Sequence, residues 1–163
     1  MPLQLDAFDR KILTAMQADA AQSTAEIAEA VGLSQSPCWR RIQRLREEGI
    51  IKAQVVLVDR RKVGLNTQVF AQVKLNAHGR SHLEDFSDAI RGFPEVLDCY
   101  VTMGTTDFLL RIVAADVDAY ERFFFEKLSR VPGIQEINSI VALSEIKSTT
   151  ALPMEWEQET DPR

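Results

Sequence analysis

The chain is poor in the residues that staple, ligate and catalyse: its 163 residues include two cysteines and two histidines. Cys38 and Cys99 are widely separated and have no partners at metal-ligand spacing. That excludes a disulfide framework and a cysteine-rich zinc cluster, and leaves two small buried thiols as the expectation. His78 and His82 stand at i, i+4, but no third ligand follows at a comparable interval, so no metal site is expected. They form no evident triad with a nucleophile, and no enzymatic activity is expected. No apolar run reaches the roughly 18 residues that a membrane-spanning helix needs. The acidic amphipathic stretch 5–16 lacks the basic start and apolar core of a secretion signal, so a cytoplasmic protein is expected.

What remains is a chain built to fold, 45% apolar and 26% charged, with a mean hydropathy of -0.13. At roughly 150 residues per domain, its length predicts one domain or two small ones. The net charge of -5 is unevenly spread: residues 1–62 are net basic, and the acidic excess lies in 63–163. Arg40, Arg41, Arg44 and Arg46 form one basic group, and Lys52, Arg60, Arg61 and Lys62 another. On charge alone, a solvated surface is favoured over a site for a polyanion.

The surrounding pattern separates these readings. Asp6 is placed to cap a helix in which Phe8, Ile12, Ala15 and Met16 make one apolar stripe. Ser23 or Thr24 opens a short second helix, with Ile27, Ala28 and Val31 inward and Gly32 at its end. Ser34 or Ser36 opens a third, running to about Glu48 with Pro37 in its first turn and Gly49 closing it. At 100° per residue, Cys38, Ile42 and Leu45 point inward on that helix, while Ser36, Arg40 and Gln43 point outward with Arg44 beside them. A helix, a glycine turn and a helix with this outer face make a helix-turn-helix. Arginine and glutamine match the donor and acceptor pattern of guanine and adenine in the major groove, and the serines can reach bases or phosphates. Glu47 shares the outer face, at the end that leaves the groove. Trp39, on the flank, is expected to wedge partly buried against the first helix. Arg41, near the buried stripe, is open to a phosphate contact or an internal ion pair. Residues 50–58 are rich in β-branched side chains and read as a wing or connecting strand.

The remaining hundred residues follow the order β-α-β-β-α-β. Strands are expected at 67–75, 96–103, 108–113 and 134–146, with helices opened by Ser81 and Asp116 between them. The expected inward residues are Leu83, Phe86 and Ile90 on the first helix, and Tyr120, Phe123, Phe124 and Leu128 on the second. The fold class is therefore α+β: a winged helix-turn-helix over 1–58, a hinge at 59–66, a ferredoxin-like domain over 67–150 and a disordered acidic tail at 151–163. Helices cover one face of such a sheet. Apolar residues on both sides of the last strand, Ile137, Val141 and Leu143 against Ile140, Ala142 and Ile146, predict that a second copy covers the other.

These residues resemble the Lrp/AsnC, or feast/famine, group of regulators over nearly the whole chain. The likeness rests on Leu5-Asp6, Asp9 and Ile12-Leu13, on Val31-Gly32-Leu33-Ser34 with Pro37-Cys38, Arg41, Leu45 and Gly49-Ile50-Ile51, and on Gly104, Asp107, Leu128, Val131-Pro132-Gly133 and the run 145–150. The resemblance implies a transcription regulator that binds double-stranded DNA through Ser34, Gln35, Ser36, Arg40, Arg41, Gln43 and Arg44. It also implies a homodimer assembling into a tetramer or octamer, and an amino-acid effector held between dimers without any cofactor. The effector residues implied are Gly104, Thr105, Thr106 and Asp107, with Thr149 and Thr150 adding hydroxyls. In this chain Thr106 stands where the family commonly has an aromatic residue. An RNA-binding sheet is excluded because the aromatic-rich stacking motif is missing. The competing expectation is an amino-acid-binding module that acts on a protein partner without touching DNA.

Overall fold

The N-terminal helices begin where short polar side chains meet amides that lack an intrahelical partner. In the computed structural model, which describes residues 5–77 and 83–155, Asp6 opens α1 (Ala7–Ala18). Its carboxylate accepts from the Asp9 amide at 2.9 Å, while the Asp9 carboxylate accepts from the Asp6 amide at 3.2 Å. Ser23 and Glu26 repeat this box at α2 (Thr24–Val31), which ends on Gly32 in the left-handed conformation, φ 77°. Ser34 precedes α3 (Gln35–Glu47), although its hydroxyl makes no capping bond. Ile12, Leu13, Ile27, Ala28, Val31, Cys38, Ile42 and Leu45 form the core between the three helices.

Two compact units divide the chain, and the first combines Met1–Val56 with Lys147–Arg163. The expected tail therefore begins differently: among the described residues, 151–155 are part of this unit. Gln17 satisfies the Leu152 backbone in both directions, accepting from its amide at 2.6 Å and donating to its carbonyl at 3.1 Å. Arg10 donates to the Met154 carbonyl at 3.0 Å, and the Met154 side chain packs on the three-helix core. Of the acids that suggested disorder, Glu155 is exposed, and Glu157, Glu159 and Asp161 lie outside the described residues, as does Trp156. The expected strand at 50–58 does not form in the single chain. Residues 52–59 have no regular secondary structure, and Val55, Val56, Leu57 and Val58 are exposed. A strand needs a ladder partner, and this chain supplies none there.

The second unit, Leu57–Ile146, runs β1 (Thr67–Leu75), α4 (Leu83–Arg91), β2 (Val96–Val101), β3 (Phe108–Ala114), α5 (Val117–Glu126), a short 3-10 turn and β4 (Ile134–Val141). Its strands lie in the order β2-β3-β1-β4, all antiparallel, as in a ferredoxin-like sheet. Alternation along β1 buries Val69, Ala71, Val73 and Leu75, which join Phe86, Ile90, Leu110, Ile112, Tyr120 and Phe123 in one core. Gln72, Lys74, Glu136 and Asn138 belong to the opposite face.

Several expected details differ. β4 stops at Val141 because β1 runs out of partners: Val69 pairs with Val141 and the Ala142 amide still reaches the Gln68 carbonyl, but Leu143 and Ile146 stand exposed. Leu83 is exposed at the start of α4, whereas Phe86 and Ile90 are buried as expected. Ser81, His78 and His82 lie outside the described residues. Phe8 is exposed rather than part of the α1 stripe, with the Arg41 guanidinium over its ring at 5.6 Å. Cys38 is fully buried, but Cys99 is exposed on β2, which is an edge strand. Burial raises both thiols above their ordinary pKa. Native protein is therefore expected to expose one thiol per chain to an aromatic disulfide reagent and two after denaturation, with the native reaction accelerating as pH rises past the ordinary thiol range. Two native thiols reacting at equal rates would contradict this packing.

Candidate nucleic-acid interface

Placement of α3 rests on one buried acid. Asp9, in the first turn of α1, is 1% exposed and sits at i, i+3, i+4 with the core residues Ile12 and Leu13. A lone carboxylate there would be costly to desolvate. Two arginines of α3 compensate it: Arg41 Nη1 lies 2.8 Å from Oδ1, and Arg44 Nη2 lies 2.6 Å from Oδ2. Arg41 also reaches the Asp6 carboxylate at 2.6 Å, so the capping box of α1 and the flank of α3 form one charge network. The Asp9 amide above all, with help from the Arg41 guanidinium, holds the Asp6 carboxyl below the ordinary aspartate range against the opposing effect of burial. Hydrogen bonds to Asp6 and then Asp9 raise Arg41 in turn. Arg44 Nε is buried without a hydrogen-bond partner and lies 3.7 Å from a Glu48 carboxylate oxygen.

This network divides the expected DNA-binding residues. Arg41 and Arg44 are directed to α1, so Arg41 makes the internal ion pair. Ser34, Gln35, Ser36 and Arg40 are exposed and Gln43 is half-buried. Gln35, Ser36 and Arg40 come together with Trp39 around an open cleft of about 600 Å³. Trp39 is 52% exposed, not wedged against α1 as expected. Sequence reasoning also missed Asp9. An acid embedded in the apolar spacing of α1, together with arginines three apart beside the α3 stripe, was the available signal.

In the second unit, Gly104 has φ 134° and open space where a Cβ would stand, so the chain can approach a ligand closely there. Thr105 and Thr106 line a cleft of about 270 Å³ with Gln72, Lys74, Glu136 and Asn138. Asp107 is bound into the backbone: its amide donates to the Val73 carbonyl at 2.9 Å, and its carboxylate accepts from the Leu75 amide at 2.7 Å. These two bonds tie the turn to β1. Thr149 and Thr150 belong to the first unit, and the Thr149 hydroxyl accepts from the Ala151 amide at 3.1 Å. Among the described residues, no group of three His, Cys, Asp or Glu is arranged to hold a metal, and no helix is long and apolar enough to cross a membrane.

Comparison with known proteins adds two matched regions. The winged helix-turn-helix DNA-binding profile matches residues 5–52, and the Lrp/AsnC ligand binding domain profile matches 68–152. The chain is 37% identical over 151 residues to the DNA-binding transcriptional activator DecR of Escherichia coli K12, covering 93% of this chain and 99% of that protein. A transcriptional regulator of Neisseria meningitidis, solved as its L-Met complex, superposes with a TM-score of 0.89 at 36% identity, covering 93% of this chain and 98% of the other. An AsnC family regulator of Agrobacterium tumefaciens gives 0.87 at 39% identity, covering 92% and 97%.

The charge network carries its own expectation. Asp9→Asn keeps the shape but leaves two guanidinium groups without their buried anion, and is expected to lower unfolding free energy in urea by about 2 to 4 kcal/mol. Partial exposure of Arg41 and Arg44 keeps the cost below that of a fully enclosed pair. Because the Asp6 pKa is lowered on folding, its contribution is complete above the ordinary aspartate range and is lost as pH falls through the lowered value. A change below about 0.5 kcal/mol, the range of ordinary surface substitutions, would remove Asp9 from this structural role.

Proposed function

The chain belongs to the Lrp/AsnC family of DNA-binding transcription regulators, and we propose that it reads the major groove with the outer face of α3. In this proposal Arg40 donates both guanidinium arms to guanine O6 and N7, while Gln35 and Gln43 bond to base edges. Ser34 and Ser36, at the start of the helix, bond to phosphates or bases. Arg41 and Arg44 act chiefly through Asp9, holding the helix at its angle, and their remaining exposed edges lie near the backbone of the duplex. The observation that carries the reading is the separation on α3 itself: Arg40 stands exposed beside Ser36, while the neighbouring arginines are bound by a buried acid.

The protein works as a cytoplasmic homodimer that assembles into a tetramer or octamer, with an amino acid as effector, and it controls amino-acid metabolism. The matched ligand-binding domain and the L-Met complex of the Neisseria relative support an amino-acid effector. The second unit supplies suitable chemistry: the open backbone at Gly104, the Thr105 and Thr106 hydroxyls, and a cation and an anion in Lys74 and Glu136. Dimerisation covers the sheet face that no helix covers, and exposed Ile140, Leu143 and Ile146 suit such a contact.

Arg40→Ala is expected to weaken binding to a selected duplex by about 5- to 150-fold, the equivalent of one bidentate base contact. Binding by the unaltered protein is expected to fall steeply with salt as phosphate contacts release counterions. Fluorescence anisotropy measures both, and unchanged affinity for Arg40→Ala would remove Arg40 from the interface. Analytical ultracentrifugation with L-Met and other amino acids tests the second half of the proposal. An effector that alters DNA affinity is expected to alter assembly as well, because linkage is reciprocal. A monomer under all conditions would contradict it.

A further inference from the structure

We propose that Trp39 is a specificity-determining residue that contacts a thymine methyl group in the bound duplex. The inference rests on the reading of α3 as the groove-facing helix and adds a contact of a different chemistry. Every other outward group there is polar: Gln35, Ser36 and Arg40 line the same open cleft as Trp39. Polar groups distinguish bases by donors and acceptors, but the thymine C5-methyl is the apolar mark on a major-groove edge, and only an apolar surface reads it. Trp39 supplies that surface.

Its placement fits this use better than a packing role. The three-helix core is closed by Ile12, Leu45, Cys38 and their neighbours, and the indole is not among the side chains packed on it. Half of the ring remains in water at 52% exposure, although a large aromatic surface is unfavourable there. The Asp9 network turns Arg41 and Arg44 toward α1, so the flank bearing Trp39 lies next to Arg40 without those two cations in front of it. A groove wall sealing this flank would desolvate the indole while Arg40 meets a neighbouring base pair. The occupant is duplex DNA, because the cleft brings the ring together with donors suited to base edges.

The test uses the full chain carrying Trp156→Phe, which leaves Trp39 as the only indole. Anisotropy of a labelled, selected duplex reports binding, and Trp39 emission reports the environment of the ring in the same titration. Saturation is expected to quench or blue-shift the emission with the same midpoint as the anisotropy. Replacing thymines one at a time by uracil removes single methyl groups. At one position per half-site this is expected to weaken binding about three- to tenfold, the effect of one buried methyl group. In Trp39→Ala that position is expected to lose its effect, with a phenylalanine at the same place retaining part of it. Anisotropy that reports binding while the emission stays constant would overturn the proposal and leave the reading of α3 intact, as would a uracil penalty that persists unchanged in Trp39→Ala. Absence of binding to any duplex would overturn both.

Discussion

A buried carboxylate that must be neutralised is the constraint from which the DNA-facing architecture follows. Asp9 is buried in the first unit at 1% exposure, where a carboxylate is costly to desolvate without close cationic partners. Those partners come from α3, so the energetic requirement of one helix fixes the rotation of another. With Arg41 and Arg44 engaged by α1, Ser36 and Arg40 remain exposed on the outer face of α3. An apolar residue at position 9 would allow better packing but no directional tie between α1 and α3, whereas two guanidinium groups on one carboxylate specify both distance and rotation. The same carboxylate closes the capping box at the start of α1, so helix initiation and interhelical registration depend on the same atoms.

The first unit is discontinuous in sequence. Its three helices come from the start of the chain, and the strap at 147–155 returns after the whole second unit has been completed. Gln17 and Arg10 bind that strap through backbone atoms of Leu152 and Met154, so the contact depends little on which side chains the strap carries, apart from the methionine that packs on the core. The chain therefore passes between the two units twice, once after Val56 and once after Ile146.

Much of this was legible in the sequence because it is local. Asp6, Ser23 and Gly32 mark helix ends through their own backbone chemistry, and the alternation in β1 and the 3.6-residue stripe in α3 identify their buried faces without knowledge of the partner. The β-α-β-β-α-β order gave the sheet topology for the same reason. What was not legible depends on distant groups. The partners of Asp9 were not legible because its arginines lie more than thirty residues away, and Trp39 was expected to wedge partly buried because an indole usually packs one face. The strand at 50–58 had the composition of a strand but no partner in the chain, and the tail was judged by its acids when Leu152 and Met154 decide its start. At the effector turn, the pattern of Gly104 to Asp107 was recognisable, but the commitment of the Asp107 carboxylate to the Leu75 amide is a cross-strand fact that spacing does not reveal.

The most direct measurement pairs one protein group with one DNA atom. In a selected duplex, each guanine in turn is replaced by 7-deazaguanine, which deletes the N7 acceptor, and affinity is measured for the unaltered protein and for Arg40→Ala. The account predicts one position in each half-site at which the base change weakens the unaltered protein about tenfold or more and adds almost nothing to the loss in Arg40→Ala. Losses that add in full at every guanine would contradict it, because Arg40 would then act away from the bases and the outer face of α3 would not be what reads the groove.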